Sequence, residues 1–149
     1  MSRSASPRTI LDEYERQQLA EAVAEAERHT SAEIKVVILR HSWGDIRSKA
    51  ARVFGKLHLE RTAARNAVLI LVATADREFI IYGDVGIHRK VGQEFWDNVR
   101  DVMARSFAEG EFGQGLCDAV RLAGGMLERH FPRGAGDVNE VPDAVVELE

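Results

Sequence analysis

The sequence predicts a small three-layer α/β/α domain: a mixed β-sheet with helices on both faces. Three observations carry this. Residues 67–73 form a near-continuous apolar run, and a polar turn at 74–77 separates it from a second run at 79–82. Such a pair reads as two antiparallel strands joined by a short hairpin, and the first, with almost no polar alternation, reads as buried on both faces. A third apolar, β-branched run covers residues 33–40. The remaining apolar residues recur at helical spacing on either side of these strands, giving the order α-β-α-β-β-α-α.

The elements follow in chain order. Residues 1–8 are polar, carry Pro7 and are expected to be flexible. Thr9, followed by Asp12 and Glu13, suggests a helix start, with acids placed to suit the helix dipole. Leu19, Ala22, Val23 and Ala26 then mark the buried stripe of a first helix near 10–28. Residues 33–40 are the first strand. Asp45 is placed to cap a second helix over 45–59, whose apolar face holds Ile46, Ala50, Val53, Phe54 and Leu57. That helix bridges strands 33–40 and 67–74, as a parallel βαβ crossover does, while strand 78–83 turns back antiparallel. Phe95, Val99, Val102, Met103 and Phe107 define a further helix that Gly110 stops. Leu116, Ala119, Val120, Ala123 and Leu127 define a last one reaching about His130. The acidic stretch 132–149, with two prolines and no period, reads as a disordered tail. The domain proper is thus expected over 9–131.

Bulk properties narrow the function classes. The chain has 149 residues, enough for one domain with a real core. Its net charge of −4 and lack of a Lys/Arg block argue against nucleic acid as a partner. The single Cys117 permits no internal disulfide and fits a reducing compartment. The N-terminus has no apolar core of a secretory signal, and no window has the roughly 18 apolar residues of a membrane span. A cytoplasmic protein is the expectation.

Topology proposes two places for chemistry. With two parallel strands and an antiparallel third, Glu33, Asn66 and the loop Gly83, Asp84, Val85, Gly86 share one edge of the sheet. Two carboxylates, an amide and loop carbonyls are oxygen ligands suited to Ca²⁺ or Mg²⁺. Read plainly, the same residues are a solvated strand start, a turn former and a loop acid beside glycines. His88, four residues after Asp84, is a further acid/base candidate, against the plainer reading of an exposed loop histidine. The opposite edge, where open parallel sheets usually bind ligands, holds His41, Ser42, Trp43, Gly44 and Asp45 and the hairpin tip Thr74, Ala75, Asp76 and Arg77. There His41, Asp45, Asp76 and Arg77 suggest an anion or acid/base site, against the plainer roles of helix cap for Asp45 and hairpin closure for Asp76 and Arg77. Trp43 is a candidate contact residue. The histidines have no zinc spacing, no phosphate loop follows the glycines, and Cys117 reads as a packed hydrophobe.

Four segments in order, TSAEIKVV at 30–37, RNAVLILVA at 65–73, Asp76-Arg77 with IIYGDVG at 80–86, and FAEGEFGQGL at 107–116, resemble the TPM domain family. That family includes thylakoid-lumen photosystem-repair proteins, a nicotinic-receptor auxiliary protein and many bacterial proteins. The resemblance spans about residues 9–131 and implies an α/β/α sandwich. It also implies divalent metal binding, calcium foremost, in some members, and acid phosphatase activity in some. By resemblance the metal or phosphate region falls on Glu33, Asn66 and the Gly83–Gly86 loop, with Asp84 the added acid. Ala67 stands where members commonly have glycine, which alters a backbone free to take positive φ. Exported, anchored members contrast with this chain, so a photosystem or envelope role is not expected. Three functions follow as expectations: a divalent-metal-binding module that engages a protein partner; a metal-assisted phosphatase for phosphate monoesters, with Asp76 or His88 as base; or a structural domain without a site.

Overall fold

The computed structural model describes residues 6, 7, 9–134 and 145–148. Helix α1 (Glu13–Arg28) starts later than the Thr9 signal suggests, because a stronger cap lies downstream. The Asp12 carboxylate accepts the Glu15 amide at 2.8 Å and the Glu15 carboxylate accepts the Asp12 amide at 2.9 Å. Ile10 and Leu11, ahead of the cap, are left to fill the core. Strand β1 (Ile34–Leu39) follows. Helix α2 (Ile46–Lys56) is capped as expected by Asp45, whose Oδ2 accepts the Ser48 amide at 3.0 Å. A 3-10 turn at Leu59–Arg61 leads to β2 (Val68–Ala73) and the hairpin partner β3 (Glu78–Gly83).

The sheet confirms the expected pairing. β1 and β2 run parallel in register Ile34 to Val68, and β2 and β3 antiparallel with Val68 opposite Gly83. All six residues of β1 and of β2 are buried, whereas β3, an edge strand, is half exposed. Burial on both faces explains why the two central strands read as continuous apolar runs. The alternation of the pleat sends Val37, Leu39, Leu69 and Leu71 toward Ala50, Val53 and Phe54 of α2. It sends Val36, Ile38, Val68 and Ile70 toward α1, helix α4 (Gln93–Ala108) and helix α5 (Phe112–His130). The domain is therefore an α/β/α sandwich with α2 on one face and α1, α4 and α5 on the other. Gly124 lets α1 and α5 cross closely, since a Cβ there would lie 2.8 Å from that of Ala26.

Three features depart from expectation. The stretch after β3 is not a loop: Asp84 caps a short helix α3 (Val85–His88). At the N-terminus, the Ser6 carbonyl accepts the amides of Thr9 and Ile10, so residues 6 and 7 are tied down; the rest of the expected flexible segment, 1–5 and 8, lies outside the described residues. The acidic tail contributes a fourth strand, β4 (Val145–Glu147), parallel to β1, giving the order β3-β2-β1-β4. Its two adjacent valines supply β-propensity that the tail's acidity obscures. Residues 135–144, also within the tail expected to be disordered, lie outside the described residues, while Pro132 bridges to Thr30. Among the described residues no helix is long and apolar enough to cross a membrane.

Candidate functional site

At the edge where β1 and β2 begin, the Glu33 carbonyl accepts the Val68 amide at 2.8 Å and the Ala67 carbonyl accepts the Asp84 amide at 3.0 Å. Glu33, Ala67 and Asp84 thus share one row across three strands. With strands about 4.8 Å apart, the outer two backbones are roughly 9–10 Å apart. Asn66 falls in the adjacent row, on the other side of the pleat from Ala67.

Each expected ligand here has other business. The Asp84 carboxylate is buried and held by both arms of Arg65: Nε to Oδ2 at 2.7 Å and Nη2 to Oδ1 at 2.9 Å. Its Oδ1 also accepts the Val85 amide at 2.7 Å, capping α3. This two-pronged bond raises the Arg65 pKa above its ordinary value. Arg65 takes a left-handed backbone (φ 53°) and its carbonyl accepts the Gly86 amide at 2.8 Å. Only glycine fits at 86, since a Cβ would lie 2.1 Å from the Ala64 carbonyl oxygen. Gly83 is paired within β3, and Val85 is exposed on α3. Asn66 donates from Nδ2 to the Ser31 hydroxyl at 3.2 Å, and its buried Oδ1 has no partner among the described residues.

Glu33 is buried beside Glu27 of α1. Glu27 Oε2 accepts the Ile34 amide at 2.7 Å. Burial first, and the neighbouring Glu33 after it, push the Glu27 carboxyl up to about 8, although the Ile34 amide favours the anion. Sequence reasoning overlooked Glu27. The signal was present: Leu19, Val23 and Glu27 step by four along α1, which puts this acid on the buried stripe.

Among the described residues no three His, Cys, Asp or Glu side chains gather to hold a metal ion. In the set Glu33, Asn66 and Asp84, Arg65 lies across the Asp84 carboxylate and Asn66 stands in the row next to that of Glu33 and Asp84. His88 ends α3 in an exposed position.

The opposite edge is built differently. The hairpin tip is tied to the exit of β1 by the Thr74 amide on the Leu39 carbonyl (2.8 Å) and the Ala75 amide on the Arg40 carbonyl (2.9 Å). This brings Asp76 against the loop after β1. Asp76 Oδ1 lies 2.9 Å from His41 Nδ1, and Oδ2 accepts the Ser42 amide at 2.9 Å. The Ser42 hydroxyl sits 2.8 Å from the Gly44 carbonyl and 3.2 Å from Asp76 Oδ2. The Ser42 amide chiefly, and His41 next, hold the Asp76 carboxyl below its ordinary value. Trp43 is 78% exposed, yet its ring lies 4.6 Å from that of His41. Trp43 and Arg77 both take left-handed backbones, with φ of 53° and 56°. Of the residues expected here, the structure brings His41 and Asp76 together. Asp45 is committed to capping α2.

Residues 6–125 match the TPM domain. The chain belongs to the TPM domain family. A solved relative is the BA42 protein from the psychrophilic bacterium Bizionia argentinensis, determined by NMR. It is 37% identical, the match covers 92% of this chain and 94% of that one, and the TM-score is 0.86. No protein with a curated description matches.

Within this TPM domain the two edges therefore offer unlike chemistry. The first is a set of buried carboxylates, Asp84 under Arg65 and Glu33 beside Glu27. The second presents an aspartate-oriented imidazole and an aromatic ring to solvent. When Asp76 accepts from Nδ1–H, the other ring nitrogen, Nε2, carries the lone pair.

Proposed function

We propose that this TPM domain is an interaction module whose contact surface is the edge around Trp43. One observation carries the reading: a large aromatic side chain is exposed while its backbone holds a left-handed conformation and its ring rests on an imidazole clamped by Asp76. Left-handed backbone is costly for a bulky residue and persists only where its surroundings enforce it. An exposed tryptophan beside His41 suits a binding anchor, because it offers a large aromatic surface that contact would bury. The test is a photo-crosslinking residue at position 43 of the full chain in its native cells, beside one at Tyr14, which is 70% exposed on α1. A discrete adduct from position 43 alone, lost on adding Asp76→Asn, is expected. The same adducts from both positions would discard the reading.

A second reading, hydrolysis of phosphate monoesters, draws on the Asp76–His41 pair. An imidazole oriented by a carboxylate can take a proton from an attacking water at Nε2. Turnover of 4-nitrophenyl phosphate is expected to fall at least a hundred-fold in His41→Gln and nearly as far in Asp76→Asn. Turnover that survives both changes removes this pair from the chemistry.

A further inference from the structure

The outer edge of β1 is covered by three residues that belong to the end of the chain. β4 runs parallel to β1, with Val145 opposite Val36, Val146 opposite Val37 and Glu147 opposite Ile38. The Leu148 amide closes the ladder on the Ile38 carbonyl at 2.7 Å. A strand this short adds little cohesion of its own, and all three of its residues are only half buried.

The way it is held is nevertheless specific. Val145 packs against the core under α1, α4 and α5, and Val146 against the core under α2. Glu147 meets Arg16 of α1 in a two-pronged bond, Nε to Oε1 at 2.7 Å and Nη2 to Oε2 at 3.0 Å. Arg16 is steadied in turn by Glu13 at 2.8 Å. The edge also has a built end. Ile34 faces the same side of β1 as Val36 and Ile38, but its amide is taken by the buried Glu27 carboxyl. Backbone ladder, two apolar recesses on opposite faces, one carboxylate fork and a stop are the parts by which sheet edges recognise extended peptides.

We propose that the outer edge of β1 is a strand-recognition slot for a partner's extended segment that runs parallel to β1 and carries two adjacent apolar side chains followed by a carboxylate. In this chain residues 145–148 occupy the slot. A tethered occupant competes at a high effective concentration, so a free partner segment binds weakly until the tether is loosened.

The test uses the full chain, its Glu147→Arg variant and the Arg16→Glu/Glu147→Arg double variant. The probe is a fluorescein-labelled peptide with the sequence of residues 143–149, read by anisotropy. Hydrogen exchange at the Leu148 amide reports whether the chain's own strand is docked. The Glu147→Arg chain is expected to lose protection at Leu148 and to bind the probe saturably, at least ten-fold more tightly than the parent. The same peptide with lysine at the place of Glu147 is expected not to bind. The double variant restores the ion pair in reverse, regains protection and excludes the probe. If Glu147→Arg fails to fold, Leu148→Pro removes the last ladder bond while keeping both charges, and the same ten-fold gain is expected. Lost protection without capture of the probe overturns the proposal. So does capture of the lysine peptide as well as the glutamate one. Concentration-dependent dimers of Glu147→Arg that exclude the probe would assign the edge to exchange between copies and overturn the partner reading too.

Discussion

The two ends of the sheet hold similar residue types and use them in opposite ways. Where β1 and β2 begin, the acids are turned inward: Asp84 lies under Arg65, and Glu33 lies beside Glu27. Where they end, Asp76 is part exposed and clamps a loop that pushes Trp43 into solvent. The difference teaches that a carboxylate's role depends on what reaches it. A bidentate guanidinium engages both oxygens of Asp84, whereas Asp76 orients an imidazole whose second nitrogen stays available.

The contrast breaks most visibly at Gly86. Any side chain there meets the backbone carbonyls of residues 64 and 65, which cannot swing aside as a side-chain tip would. Gly86→Ala is expected to cost about 3 kcal/mol or more in urea unfolding. A loss below about 1 kcal/mol would show that the segment before β2 is soft. Next comes Asp84→Ala, which removes the cap of α3 and leaves Arg65 without its partner. We expect about 2 kcal/mol, with Arg65→Ala also destabilising because it leaves the buried Asp84 carboxylate without its guanidinium.

Glu27 tests the buried pair through pH. Its folded pKa, about 8, lies above the ordinary 4.5, so the folded state holds a proton that the unfolded state has already released between those values. Stability is therefore greatest below about pH 4.5 with respect to this group and falls as pH rises toward 8, by on the order of 1–3 kcal/mol. Melting of the parent and of Glu27→Gln from pH 5 to 9 is expected to show a steeper decline in the parent. Parallel curves would mean that Glu27 is ionised in the folded protein throughout.

Cations probe the same edge. An ion at Asp84 must first displace Arg65, so Arg65→Gln is expected to bind Ca²⁺ about ten-fold more tightly than the parent by calorimetry, the equivalent of one charged hydrogen bond. Equal affinity would put any bound ion elsewhere. The smallest stability effect belongs to the open edge. Trp43→Ala is expected to change stability by less than about 0.5 kcal/mol, and Asp76→Asn is expected to abolish the position-43 adduct while the chain stays folded. A large loss from Trp43→Ala would make this ring a structural prop and erase the contrast.

Much of the fold was legible because it follows local period. The unbroken apolar runs at 34–39 and 68–73 announce central strands, the stripes of α2, α4 and α5 announce their helices, and Asp45 announces a cap that the structure contains. The His41–Asp76 edge was half legible, since topology put both residues at the same end of the sheet but could not say that Asp45 would turn away to its helix. The surroundings of Glu33, Asn66 and Asp84 were the least legible, for topology put Glu33 and Asp84 in one row but could not show that Arg65 would close over Asp84 or that Glu27 would lie beside Glu33.

The sequence by itself determined the strands β1 to β3 with their parallel and antiparallel pairing, the helices α1, α2, α4 and α5, and the family. Hydrophobic period and turn chemistry act over a few residues, and they are written in neighbouring letters. Tertiary structure alone decided that Arg65 would close over Asp84, that Glu27 would lie beside Glu33, and that Glu147 would cross to Arg16, 131 residues away, and carry a fourth strand with it. Such pairings depend on which surfaces the packed layers bring together, and no local pattern encodes that meeting.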